Sequence, residues 1–257
     1  MKVVRVKTPA LAIVAELRKS VSTRVRRWLL LASGVVGLLS AGLVAFTGPT
    51  DEHTFATISF YTQSAISLPL PFVSVLLMTQ DFGLRPRSPT STSGVSRSAL
   101  ITAKLLASMI IAGTAAFGGV VISVLATSAA PRAPDEGRWE ATGMIILGSV
   151  LVQLIAQLIG AGWGLLLASS ALAIAADVVV PLGLWIVTGA VPGLQGIQAW
   201  LTPFASVRNL LAGQMGAQQW AQVAITVLVW VVTLNAAGIL RVYRVAKSGA
   251  AGAVTEL

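Results

Sequence analysis

Apolar residues gather into six runs, near 28–47, 56–79, 103–127, 141–168, 171–190 and 221–240. A helix rises about 1.5 Å per residue, so roughly 20 residues cross a hydrocarbon core of about 30 Å, and every run reaches that length. The pattern predicts an all-α polytopic membrane protein with six transmembrane helices in one transmembrane domain over 1–257. Ahead of the first run, Leu11, Val14, Leu17, Val21, Val25 and Trp28 recur at steps of three and four, with Glu16, Arg18, Lys19, Arg24, Arg26 and Arg27 mainly between them. This spacing predicts a basic amphipathic helix over 9–28, lying in the membrane interface among lipid headgroups. Between the fifth and sixth runs, Ile197, Trp200, Leu201, Phe204, Val207 and Leu211 again keep helical spacing. Thr202 followed by Pro203 fits an N-cap and a first-turn proline, so an amphipathic hairpin of two short helices is expected there.

Polar and small residues interrupt the runs in an ordered way. Pro69 and Pro71 remove backbone donors from the second span and predict a kink or local unwinding. Tyr61, Gln63, Ser64 and Ser67 add polar groups to the same span, suited to a pathway lining or to hydrogen bonds between helices. Ser149, Gln153, Gln157, Gly160 and Gly164 form one stripe of the fourth span, too polar to face lipid, and Ser33, Gly37 and Ala41 form a small-residue face on the first. Asp177 is the one acid inside a span, about one and a half turns into the fifth. An acid at that depth is a candidate proton relay, substrate contact or ion-pair partner, or a capped boundary residue. Tyr61, Gln63, Ser67, Gln153, Gln157, Asp177 and Trp185 are thus the candidates for a transport path or helix interface.

Charge orients these elements. Of 18 Lys and Arg residues, 15 fall in alternate segments beginning with the N-terminal one, and 3 in the others. Excess Lys and Arg in short loops marks the cytoplasmic side, and an even number of spans returns the chain to it. Both termini are therefore expected in the cytoplasm, with 131–140 and 191–220 outside. Trp139, Trp200 and Trp220 then belong to the outer aromatic belt and Trp28 to the inner one. The first run is of spanning length and lacks a convincing cleavage site, so a retained N-terminus is expected.

Composition narrows the function classes. With 55% hydrophobic and 11% charged residues, the chain is too apolar for one soluble domain. Its net charge of +9 flanks apolar spans and does not form a stripe on a polar fold, which argues against nucleic acid. The absence of cysteine excludes disulfides, thiolate metal sites and palmitoyl anchors. No phosphate-cradling loop, Rossmann glycine pattern, zinc-protease motif or nucleophile elbow occurs, so neither catalytic nor cofactor residues are expected. Asp51, Glu52 and His53 are metal-type residues, but neighbours in sequence point apart, and a solvated loop is the expectation. Abundant Ala, Val and Gly with Arg over Lys suits a bacterial protein.

Several segments carry a family resemblance. Ala15-Glu16-Leu17-Arg18-Lys19 is followed by Thr23-Arg24 and by Trp28 at the first span. After the second span come Asp81, Gly83, the hydroxyl-rich Thr90 to Ser93, Gly94-Val95-Ser96-Arg97 and Lys104. Trp200-Leu201-Thr202-Pro203 lies in the hairpin, and a basic tail follows the sixth span. In this order and spacing the chain resembles permease subunits of type-2 ATP-binding-cassette exporters over nearly its whole length, with Gly94 where the family usually has proline. The resemblance implies a bacterial cytoplasmic-membrane exporter of amphipathic or apolar substrates, pairing with a second permease copy or a related permease. It implies a separate cytoplasmic ATPase that supplies ATP and magnesium, and coupling through Glu16, Arg18, Lys19, Arg24, Asp81, Gly94, Arg97 and Lys104. An ion-coupled secondary carrier using Asp177 and a non-transporting scaffold or immunity protein are the alternatives.

Overall fold

The computed structural model describes residues 9–49, 53–82, 96–131, 137–213 and 215–254. Among them the secondary structure is helical: α1 (Pro9–Ser22), α2 (Arg24–Thr47), α3 (Phe55–Ser67), α4 (Pro71–Phe82), α5 (Arg97–Ala129), α6 (Thr142–Leu167), α7 (Ser170–Ala190), α8 (Gln195–Leu201), α9 (Pro203–Leu211), α10 (Ala217–Thr226) and α11 (Leu234–Val254). Six stretches are long and apolar enough to cross a membrane: α2, α3 with α4, α5, α6, α7, and Ala217–Val245. The chain is a multi-pass membrane protein by this criterion.

The amphipathic helix is shorter than 9–28. Thr23 takes an extended backbone, with φ −78° and ψ 122°, so α1 stops at Ser22 and the first span starts at Arg24. The break is hydrogen-bonded: the Thr23 hydroxyl donates to Lys19 O at 2.8 Å, and Arg26 Nη2 donates to Lys19 O at 2.8 Å and to Thr23 Oγ1 at 2.6 Å. The second span breaks where its prolines predict. Residues 68–70 form a turn between α3 and α4, and the carbonyl of Leu70 accepts from Val73 N at 3.0 Å and from Gln157 Nε2 at 3.1 Å. A backbone group next to a proline break is thereby satisfied by a polar side chain of another span.

Helix α6 is the central post. Within its most apolar window 56% of residues are buried, against 17% for α7, which lies at the margin. Its polar and small stripe faces protein, as periodicity predicted, and the structure shows that this protein is the same chain. Gly160 lets the backbone of α4 close in, since a Cβ there would lie 2.5 Å from Pro71 O. At Gly148 a Cβ would collide with the carbonyl oxygen of Leu210 in α9, and at Gly164 it would lie 2.9 Å from Met78 Cβ. The face of Ser33, Gly37 and Ala41 on α2 is buried as well, Gly37 lying against Ile66 and Thr62 of α3. Two of the four apolar clusters in the bundle lie around Met78, Ile101, Ala161, Leu165 and Val242 and around Val152, Ile155, Leu210, Val223 and Trp230.

Contacts sort the connections into two ends. At one, Phe55 N donates to Arg138 O at 2.9 Å, Phe55 stacks on Trp139, and Gly213 packs on Ala141 and Ile145. At the other, Lys104 meets Glu16 and Asp81, Thr79 meets Ser170 at 2.7 Å, and Arg241 Nη1 donates to Leu165 O at 2.8 Å. The hairpin therefore shares an end with the loops after α2 and α5, and α1 shares an end with the turn between α6 and α7.

Three further details depart from the sequence reading. The third span extends to Arg97–Ala129, which places Lys104 two turns inside the helix. Helix α9 restarts at Pro203 as expected, but the Thr202 hydroxyl donates backward to Gln198 O at 2.7 Å and does not cap α9. The sixth span carries a π-helical segment at Val227–Thr233, where Trp230 Nε1 donates to Leu201 O at 2.6 Å and ties the span to the hairpin.

Candidate functional site

Two polar regions lie at different depths of the bundle. The first joins α1, α4 and α5. Lys104 is fully buried, and its Nζ lies 2.7 Å from Glu16 Oε2, 2.5 Å from Asp81 Oδ2 and 2.9 Å from Leu77 O. Glu16, 2% exposed, also accepts from Lys19 at 2.7 Å. Asp81 has no hydrogen bond to either oxygen and is held by charge, that of the Lys104 ammonium and of the Arg26 guanidinium. Arg26 is buried nearby, with Nη1 lacking a hydrogen-bond partner. The amphipathic spacing turns the Leu17 face of α1 toward α2 and α4, and Glu16 beside it enters the junction. Burial pushes the Glu16 carboxyl up, but the Lys104 charge, its hydrogen bond and Lys19 together outweigh this and hold it below the usual range.

Sequence reasoning assigned Glu16, Lys19, Asp81 and Lys104 to coupling, and the structure brings these four together. It pairs Asp81 with Lys104. Arg97 stands exposed at the start of α5, and Arg18 is exposed on α1. Arg24 opens α2 and is also exposed; Gly94 lies outside the described residues. Arg26 was read only as one more cation of a basic run. What distinguishes it is Thr23, whose helix break turns the Arg26 guanidinium back onto α1.

The second region contains a ladder and a cleft. In the ladder, Gln153 Nε2 donates to Gln63 O at 2.9 Å and to Gln63 Oε1 at 3.0 Å, Gln63 Nε2 donates to Ala116 O at 3.0 Å, and the Ser74 hydroxyl donates to Gln157 Oε1. Gln63, Gln153 and Gln157 are wholly buried, so these three join α3, α4, α5 and α6 and do not line an open path. Such bonds are worth about 0.6 kcal/mol each in a membrane and at most about 1.7.

The cleft has a volume of about 1150 Å³ and lies between α3, α6, α7, α9 and α10, with α8 over one edge. Tyr61, Ser67, Asp177 and Trp185 all line it, so the remaining path candidates converge here. Phe204 adds a second aromatic wall, packed edge to face on Trp185 with centroids 6.3 Å apart. Hydrogen bonds hold the roof: Gln198 Nε2 donates to Trp185 O at 2.8 Å, Asn209 Nδ2 to Gln222 Oε1 at 2.9 Å, and Ser206 Oγ to Thr226 Oγ1 at 2.8 Å. Asp177 is half-buried and, among the described residues, has no hydrogen-bond or ion-pair partner.

Compared with protein-family models, curated proteins and solved structures, the chain matches none. The site's chemistry rests on its geometry. One end offers a closed ionic junction beneath exposed arginines, and the body of the bundle offers an apolar cleft with one free carboxylate. Of the neighbouring metal-type residues at 51–53, only His53 lies among the described residues. It is buried, its ring nitrogens 3.0 Å from Gly48 O and 3.3 Å from Pro131 O, where it ties two connections together. Among the described residues no cluster of three metal-type side chains occurs.

Proposed function

We propose that the chain is the transmembrane permease subunit of an ATP-driven exporter of the type-2 ATP-binding-cassette kind. It moves an amphipathic or apolar substrate outward across the bacterial cytoplasmic membrane, with both termini in the cytoplasm. The observation that carries this reading is the ionic tie of α1 to α4 and α5 through Glu16, Lys104 and Asp81. A peripheral basic helix bonded to two spans can pass a push from a partner protein into the bundle, because buried charge pairs resist separation. Exposed Arg18 and Arg24 lie close in the chain to Glu16 and Arg26, exposed Arg97 opens the helix that carries Lys104, and these cations are available to a docking ATPase. A second permease, the same chain or a related one, completes the complex. The resemblance in motif order supports the same assignment.

The reading is tested by looking for an ATP-binding-cassette ATPase gene beside this one and expressing its product with the tagged chain. The ATPase copurifies, the isolated chain hydrolyses no ATP, and Arg18→Glu with Arg97→Glu lowers the copurified yield while the chain still inserts. ATP hydrolysis by the pure chain, or full ATPase recovery with both arginines reversed, overturns it. A second reading, an ion-coupled secondary carrier, is favoured by the unpartnered Asp177 in the cleft. Its mark is a substrate flux that persists in proteoliposomes without ATP and disappears in Asp177→Asn.

A further inference from the structure

The unpartnered carboxylate and the walls around it define a ligand. We propose that the cleft binds an amphipathic organic cation, with its positive centre beside Asp177 and its apolar body against Tyr61, Trp185 and Phe204. As the substrate class of the exporter this rests on the reading above; as a binding site it rests on the cleft alone.

Size sets the first limit. Pockets for small molecules usually span about 300–1,000 Å³, so a volume of about 1150 Å³ suits a large amphiphile and is far too big for a bare ion. Charge sets the second. Among the described residues, the ionisable side chains lining the cleft are Asp177, Tyr61 and Arg208. Asp177 and Arg208 make no ion pair. Asp177 precedes the α7 terminus by 13 residues, about 20 Å along the axis, while Arg208 is exposed on α9 of the hairpin. Arg208 is thus exposed on the hairpin, and Asp177 lines a mainly apolar cleft without an ion-pair partner among the described residues.

An unpaired carboxylate among apolar walls is costly to hold, and the cost falls when a cation arrives. An anion would meet repulsion there, and a neutral lipid would leave the carboxylate unpaired. A dehydrated metal ion needs several oxygen ligands, and Asp177 supplies the one carboxylate lining the cleft. A weakly hydrated organic cation needs only the charge and an aromatic surface. Tyr61, Trp185 and Phe204 supply that surface, since the negative face of an aromatic ring attracts cations. One carboxylate lines the cleft among the described residues and can neutralise one positive charge, so the ligand is monocationic.

Tetraphenylphosphonium and tetraphenylborate have nearly the same shape and opposite charge, which makes them the probes. Equilibrium binding of each to the purified full chain in nanodiscs, with empty discs subtracted, requires neither an ATPase nor transport. Saturable tetraphenylphosphonium binding is expected, weakened at least about tenfold in Asp177→Asn and retained in Asp177→Glu. Trp185→Ala, which keeps the charge, is expected to weaken it about threefold to fivefold and decides the matter if the Asn variant does not fold. Equal affinity for tetraphenylborate, no saturable phosphonium binding, or unaltered binding in both Asp177→Asn and Trp185→Ala overturns the proposal. The outcome is independent of ATPase copurification, so either reading can fail without the other.

Discussion

Glu16 and Asp81 stand in closed surroundings and Asp177 in open ones, and the difference separates an acid that builds the fold from one left free for a ligand. In the junction, Lys104 comes within 2.7 Å of Glu16 and 2.5 Å of Asp81 and carries no exposure at all, so three helices are locked by charges that cannot be hydrated. Around Asp177 the same chemistry is left incomplete beside a cleft of about 1150 Å³. A buried pair stabilises chiefly because breaking it strands a charge; a lone acid has no pair to break. Removing a charge should therefore be severe in the first region and nearly silent for stability in the second.

Lys104→Met is the sharpest test, because it strands Asp81 and leaves Glu16 with Lys19 alone. A loss of about 3–5 kcal/mol is expected, read as a large fall in the thermal midpoint of the detergent-purified protein. An unchanged midpoint would mean that the junction is not closed in solution. Gly160→Val asks whether close backbone approach, without charge, can matter as much. The added side chain meets Pro71, and a loss of about 1–3 kcal/mol is expected in the same melt.

Gln153→Leu removes the bonds to Gln63 and should cost about 1 kcal/mol, placing the neutral ladder between the two acidic regions in importance. Acidification tests the junction again, without mutation. Because the Glu16 carboxyl is held below its ordinary range when folded, its stabilisation is fully present above that range and is lost as pH falls through the depressed value. Amide hydrogen exchange over α1 should accelerate on that side only, and not in Glu16→Gln. The smallest effect belongs to Asp177→Asn, with a midpoint within about 0.5 kcal/mol of wild type or slightly higher, since no native partner is lost. A drop as deep as that of Lys104→Met would erase the contrast.

Much of the architecture is legible along the chain. Run lengths give the spans to within a few residues, except that α5 starts at Arg97, six residues earlier than its apolar run suggests. Polar residues tolerated near the membrane boundary do not register as helix in a hydropathy pattern. The stripe from Ser149 to Gly164 reads as a protein-facing surface because four-residue and three-residue steps return to one face of a helix. The partner of Asp81 was not legible. Arg97 and Lys104 are both in reach along the sequence, and choosing between them requires knowing that α5 already runs helically through both, with Lys104 turned inward.

The sequence by itself determined the six apolar spans, the break at Pro69 and Pro71, the amphipathic α1 and the restart of α9 at Pro203, because helix period, proline chemistry and span length are local properties. Tertiary structure alone decided that Gln153 bonds to Gln63 and Gln157 to Ser74 and Leu70 O, while Tyr61, Ser67, Asp177 and Trp185 open onto a cleft. Both sets are polar or aromatic residues inside apolar runs, and their periodicities do not tell them apart. What separates them is which helix packs opposite, and that is fixed by the close approach of α4 and α9 to α6 at Gly160 and Gly148 and by the marginal position of α7.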